Sequence, residues 1–138
     1  MATSSAGYSG TPLVKKLGLK SGMTVQVVDA PAPYEQIVEA LPADLRFSSR
    51  AGTGTQFVHL FVRESVRLHQ LLTSLRERLQ SPAVVWVSWP KKASGVATDV
   101  DENTVRRIAL PLGFVDVKVC AIDATWSGLK LVVRKASR

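Results

Sequence analysis

Cysteine is almost missing from this chain: Cys120 is the single one in 138 residues, so no internal disulfide can form. That excludes the disulfide-stapled scaffolds of small secreted domains, and a chain of this length can bury a core without staples or metals. Cys120 lies in "VDVKVCAID", and no histidine or aspartate of nucleophile-activating spacing lies beside it in the sequence. It reads as a small buried hydrophobe. Long apolar runs are missing too, and no window approaches the ~18 consecutive apolar residues of a membrane span. The opening "MATSSAGYSG" has neither the basic nor the apolar region of a secretory signal, so a cytoplasmic protein is expected. No G-x-x-x-x-G-K-[ST] phosphate loop occurs, and "AGTGT" is too short to replace it. His59, in an apolar run, and His69, on a helical stretch, lack metal-ligand spacing and read as core or boundary residues. No metal site is expected.

Acids are scarce, 11 against 18 lysines and arginines, for a formal charge of +7. Such a balance raises nucleic acid as a partner. The cations are scattered along the chain, however, and only the first twenty residues and the final "KLVVRKASR" are basic without any acid. A generally basic surface is the simpler reading, and nucleic-acid binding is kept as an alternative.

What is present is an alternation of strand and helix signals. Residues 1–10 are Ser/Gly-rich and read as a flexible tail before a single domain over 11–138. Thr11 as N-cap, Pro12 at the first helical position and Gly18 at the exit mark a short helix. A strand follows from Met23 to Asp29, and then a helix from Pro33 with Tyr34, Ile37, Val38 and Leu41 on its apolar face, stopped by Pro42. "LRFS" gives a short strand. "QFVHLFV" and "AVVWVS" are apolar on both faces, as strands covered on both sides are. Between them a helix runs from about Glu64 to Gln80, with Leu68, Leu71, Leu72, Leu75 and Leu79 inward. Another spans about Asp101 to Leu110, ended by Pro111 and Gly113. "FVDVKVCAID" and "LKLVVRK" are joined by "ATWSG", too short for a parallel crossover, so they form an antiparallel hairpin.

Alternating elements imply a mostly parallel sheet between two helical layers with right-handed crossovers. With the closing hairpin the pattern is that of a three-layer, Rossmann-like, class I methyltransferase-like fold. Six strands in the order 2-1-3-4-6-5 are expected. The stretches "GYSGTPLVKKLGL", "WVSWPKKASGVATD" and "KVCAIDATWSGLKLVVRK" closely resemble a family of small bacterial proteins described as a domain of unknown function. The likeness runs from Gly7 over nearly the whole chain. It implies a bacterial origin and a methyltransferase-like fold, and it assigns no catalytic residue.

Methyltransferases of this fold take S-adenosylmethionine on a glycine-rich turn after the first strand and an acid ending the second. Here the first strand ends "VVDAPAPY", with two prolines and no glycine, and the second ends "FSSR", with no acid. Ordinary methyl transfer is not expected. A degenerate domain binding a small anionic ligand or a protein partner is the leading reading. A transferase with an atypical S-adenosylmethionine or nucleotide mode is the enzymatic alternative, and the cofactor stays unspecified.

Ligands of open parallel sheets bind outside the carboxyl ends of the strands. "DAPAP" after the first strand, Arg63 and Glu64 after the third, and "WPKKASGVATD" after the fourth should meet there. The candidate ligand residues are Asp29, Lys91, Lys92, Ser94, Gly95, Thr98 and Asp99. Lysine charge, a Ser-Gly turn and a helix N-terminus together suit an anion. The same residues serve equally well as a solvated turn with Trp89 filling core space, and Asp99, Asp101 and Glu102 as helix-capping acids. Trp126 and Gly128 suit a tight hairpin connection and join the site only if the hairpin end reaches the same edge. An exposed edge strand leaves room for a homodimer.

Overall fold

The runs that are apolar on both faces become the central strands. In the computed structural model, which describes residues 10–135, these are β3 (Phe57–Phe61) and β4 (Val84–Pro90). β1 (Thr24–Val28) and the two-residue β2 (Arg46–Phe47) flank them on one side, and the hairpin β5 (Phe114–Ala121) and β6 (Trp126–Val133) on the other. The order is β2-β1-β3-β4-β6-β5. Strands β1 to β4 are parallel, while β6 pairs antiparallel with both β4 and β5. This is the expected methyltransferase-like sheet.

Both sheet faces are covered, which is why β3 is buried along its whole length. On one face lie α3 (Ser65–Arg78) and α4 (Glu102–Leu112), packing Leu68, Leu72, Leu75, Val105 and Ala109 on Leu60, Val85 and Val87. On the other lie α1 (Leu13–Leu17) and α2 (Tyr34–Ile37), whose Leu17 and Tyr34 cover Phe57, Phe61 and Trp86. The indole of Trp86 is fully buried, and its Nε1–H donates to the Leu17 carbonyl at 2.9 Å. One large side chain thus fills the core and pins the end of α1.

Four local expectations are corrected. Pro12, not Thr11, is the N-cap residue of α1, its carbonyl accepting from the N–H groups of Lys15 and Lys16. The helix expected to reach Leu41 is a single turn, because Val38 is extended and Ala40 has a φ of 60°. Pro42 therefore stops nothing. β4 continues through Trp89 and Pro90, which pair with Ser127 and Trp126. Trp126, Ser127 and Gly128 consequently belong to β6, and the hairpin connection is Ile122 to Thr125. Gly128 is placed by packing, since a Cβ there would lie 2.9 Å from Ile122 Cδ1 and 3.2 Å from Trp86 Cε3. Pro111 sits in the last turn of α4 and Gly113 closes it with φ 106°. Of the expected tail, all but Gly10 lies outside the described residues.

Candidate functional site

At the carboxyl edge the chain leaves a cavity of about 430 Å³, lined by the ends of β1, β3 and β6 and by the loop after β4. Asp29 and Pro31 come from the first, Phe61, Arg63 and Glu64 from the second, Trp126 from the third and Val96 from the loop, with Arg67 from the first turns of α3. The hairpin end does reach this edge, because extending β4 to Pro90 carries its partner Trp126 up with it. Trp126 meets Phe61 edge-on, with ring centroids 5.3 Å apart, and gives the cavity an aromatic wall. Arg67 Nη2 lies 3.3 Å from Asp29 Oδ2, a half-exposed pair of small energetic weight. Arg63 makes no salt bridge among the described residues. Asp29 is held at φ 60°, a left-handed conformation that turns the chain sharply at the cavity mouth.

Of the seven candidate ligand residues, Asp29 lines this cavity; Arg63, Glu64 and Trp126, which the sequence also pointed to at this edge, line it too. The other candidates build the loop and its attachments. Lys91 Nζ donates to the Asp123 carbonyl at 2.9 Å, tying the loop to the hairpin connection. Lys92 is exposed and begins the 3-10 turn Lys92–Ser94, and Gly95 follows with φ 77°. Ser94 Oγ donates to the Lys91 carbonyl at 2.6 Å and accepts from the Val96 N–H. Thr98 Oγ1 donates to the Arg63 carbonyl at 2.7 Å, and Asp99 Oδ1 accepts from the Ser65 N–H at 2.7 Å. Asp99 therefore caps α3 rather than the helix that follows it, while Asp101 caps α4 by accepting from Thr104 N–H at 2.8 Å. Both N-termini carry an internal carboxylate, which meets the demand that would otherwise draw an external anion.

Below the cavity runs a buried polar chain that periodicity alone could not reveal. Tyr34 Oη lies 2.7 Å from His59 Nδ1, and His59 Nε2 lies 2.7 Å from Ser88 Oγ. His59 is a core histidine, fully buried, and burial pulls its pKa down from 6.5 to about 3. The imidazole is neutral, one nitrogen donating and the other accepting. Burial also pushes the Tyr34 phenol above its ordinary range. The His59 ring stacks on Phe61 at 4.3 Å, so the chain supports the aromatic wall from beneath. Cys120 is half-buried, its thiol pushed up by burial and partly pulled back by Lys16 and Lys118. No cluster of three or more metal-ligating side chains occurs among the described residues. Among them, too, no helix is long and apolar enough to cross a membrane.

Solved structures of similar fold include methyltransferases. An S-adenosylmethionine-dependent methyltransferase from Aquifex aeolicus superposes with a TM-score of 0.59 at 16% identity, over 88% of this chain and 87% of its own. The complex of the Haloferax volcanii Trm112 methyltransferase activator with a protein assigned as a methyltransferase matches at 0.64 and 8% identity, over 91% and 88%. Magnesium protoporphyrin IX methyltransferase from Synechocystis, with bound S-adenosylmethionine, matches at 0.56 and 13%, over 88% and 74%. At such identities the likeness establishes the fold. No family model and no curated protein matches the sequence.

Proposed function

We propose that this chain is a ligand-binding domain of methyltransferase-like fold, with residues 11–138 as one domain and its site in the carboxyl-edge cavity. The observation that carries the reading is the convergence there of Arg63, free of ion pairs among the described residues, with the Phe61–Trp126 wall. An arginine beside aromatic rings suits a small anion with a flat body, the guanidinium taking the charge and the rings the flat face. Asp29, Thr98 and Asp99 are positioning residues in this reading, since they hold Arg67, the Arg63 carbonyl and the start of α3. Lys91, Lys92, Ser94 and Gly95 shape the loop that closes one side. A bacterial origin and a cytoplasmic location belong to the same proposal.

Methyl transfer finds little support in the residues. The turn after β1 carries Pro31 against the cavity where a glycine would let a cofactor approach. Arg50, after β2, lines a different cleft. Isothermal titration with adenosine monophosphate, S-adenosylmethionine and S-adenosylhomocysteine tests the reading. Binding of the nucleotide that falls at least tenfold in Arg63→Glu and in Trp126→Ala is expected. Tight binding of S-adenosylmethionine with methyl transfer would favour the transferase instead. No heat with any of them would leave a protein-interaction module.

A further inference from the structure

The edge cavity is lined by two pieces of chain that are held in different ways: Asp29 and Pro31 in the turn after β1, and Phe61 and Trp126 at the ends of β3 and β6. The sheet ladder fixes the second piece. The first has no such frame, because the turn leads into α2, a single helical turn with no side-chain cap. A helix that short has no stability of its own. Among the described residues, the turn's only ion pair is that of Asp29 with Arg67, half-exposed and weak.

What locates the turn is Tyr34, which begins α2. Its ring is buried, meets Phe47 edge-on at 6.3 Å and His59 edge-on at 5.5 Å, and its Oη lies 2.7 Å from His59 Nδ1. His59 and Phe61 share one face of β3, and their rings stack at 4.3 Å with 16° between the planes. Phe61 in turn meets Trp126 edge-on. A continuous run of packed rings therefore joins the turn to the aromatic wall, and it passes outside the cavity, since neither Tyr34 nor His59 lines it. Close packing leaves such a run little room to adjust.

We infer that Tyr34 and His59 are positioning residues for the edge cavity: their hydrogen bond sets the turn carrying Asp29 and Pro31 relative to the Phe61–Trp126 wall, and so selects a flat ring there. This rests on the reading of that cavity as a site for a small anion with a flat body. Groups that hold a ligand need their own positions locked by packing and hydrogen bonds behind them, and these two residues supply that lock. The anion end is held separately, because the Arg63 carbonyl accepts from Thr98 Oγ1 and from the Asp99 N–H.

Calorimetric titration of the full chain with adenosine monophosphate and with ribose 5-phosphate, which keeps the anion and lacks the ring, tests this. Tyr34→Phe keeps the buried ring and removes the hydroxyl. It should weaken the nucleotide about fivefold to tenfold and leave ribose 5-phosphate unchanged. Ser88→Ala breaks the other hydrogen bond of His59, away from the turn. It should lower the urea midpoint as Tyr34→Phe does, yet leave both affinities at their wild-type values. Without ligand, Tyr34→Phe should speed amide exchange at Asp29 and Ala30 and move the Trp126 indole resonance. An equal loss for both ligands, or an unchanged turn and indole in the unliganded variant, overturns the inference. Wild-type binding that Tyr34→Phe does not alter sinks the inference alone, whereas a wild type that binds neither ligand sinks the reading of the cavity as well.

Discussion

At the scale of single residues, His59 carries the clearest consequence. In the sequence it is one polar letter in "QFVHLFV"; in the fold it joins Tyr34 to Ser88 with no exposure to water. Its folded pKa lies near 3 against an ordinary 6.5, because burial penalises the imidazolium. The unfolded chain therefore binds the extra proton between those values. Stability from the neutral ring is fully present above about pH 6.5 and is lost as the pH falls toward 3, each pKa unit corresponding to about 1.4 kcal/mol. Urea midpoints measured from pH 7 to pH 4 should decline accordingly. His59→Phe should lower the midpoint at pH 7, since Tyr34 Oη and Ser88 Oγ each lose a partner at about 1–3 kcal/mol. The same variant should flatten the pH dependence, and an unchanged slope would show that another group titrates. That His59 is a core residue could be read from its apolar neighbours. Its partners could not, since Tyr34 and Ser88 lie 25 and 29 positions away.

At the scale of elements, "WPKKASGVATDVDE" divides into three jobs that its spacing does not separate. Trp89 and Pro90 finish β4, Thr98 and Asp99 reach back to the start of α3, and Asp101 caps α4. Asp99 and Asp101 are two residues apart yet serve different helices, because the loop runs alongside Arg63 and Ser65 before turning. Asp99→Ala should cost about 0.5–2 kcal/mol by orphaning the Ser65 N–H, and should speed amide exchange at the first turn of α3. In Asp101→Ala the slowed-exchange loss should appear at α4 instead. The hydrogen bonds from Thr104 hold the Asp101 carboxyl below its ordinary range. Its stabilisation is thus present above about pH 3.8 and fades as the pH drops through the lower folded value, so wild type and variant should converge in strong acid. Equal exchange at both helix starts in either variant would contradict the division.

At the scale of the whole molecule, the cations behind the +7 charge are spread along the sequence rather than gathered in one run. Arg67 pairs with Asp29, Arg106 is shared by Glu102 and Asp116, and Lys118 and Lys130 face each other across the hairpin. Duplex DNA should accordingly bind weakly at low salt and be released by roughly 0.2 M, with a log–log salt slope well short of that for proteins making 6–10 phosphate contacts. A steep slope by fluorescence anisotropy would restore the nucleic-acid reading. The sheet edges are blunted: β2 has two residues, and β5 carries an irregularity between Asp116 and Lys118. The covered strands and the terminal hairpin were legible beforehand from the side-chain period and the short connection, and the strand order followed from the likeness of that pattern to the methyltransferase fold. The sequence by itself thus determined the architecture and the edge at which to look. Asp29 and Arg63 were expected there, and only the tertiary structure decided that Trp126 joins them while Lys91, Lys92 and Ser94 do not line the cavity. Arg63, Trp126 and Asp29 come together because β3, β6 and β1 end at one level, a matter of register. Lys91 turns to the hairpin and Asp99 to α3 because those backbone groups, distant in sequence, lie within hydrogen-bonding reach once the sheet has formed.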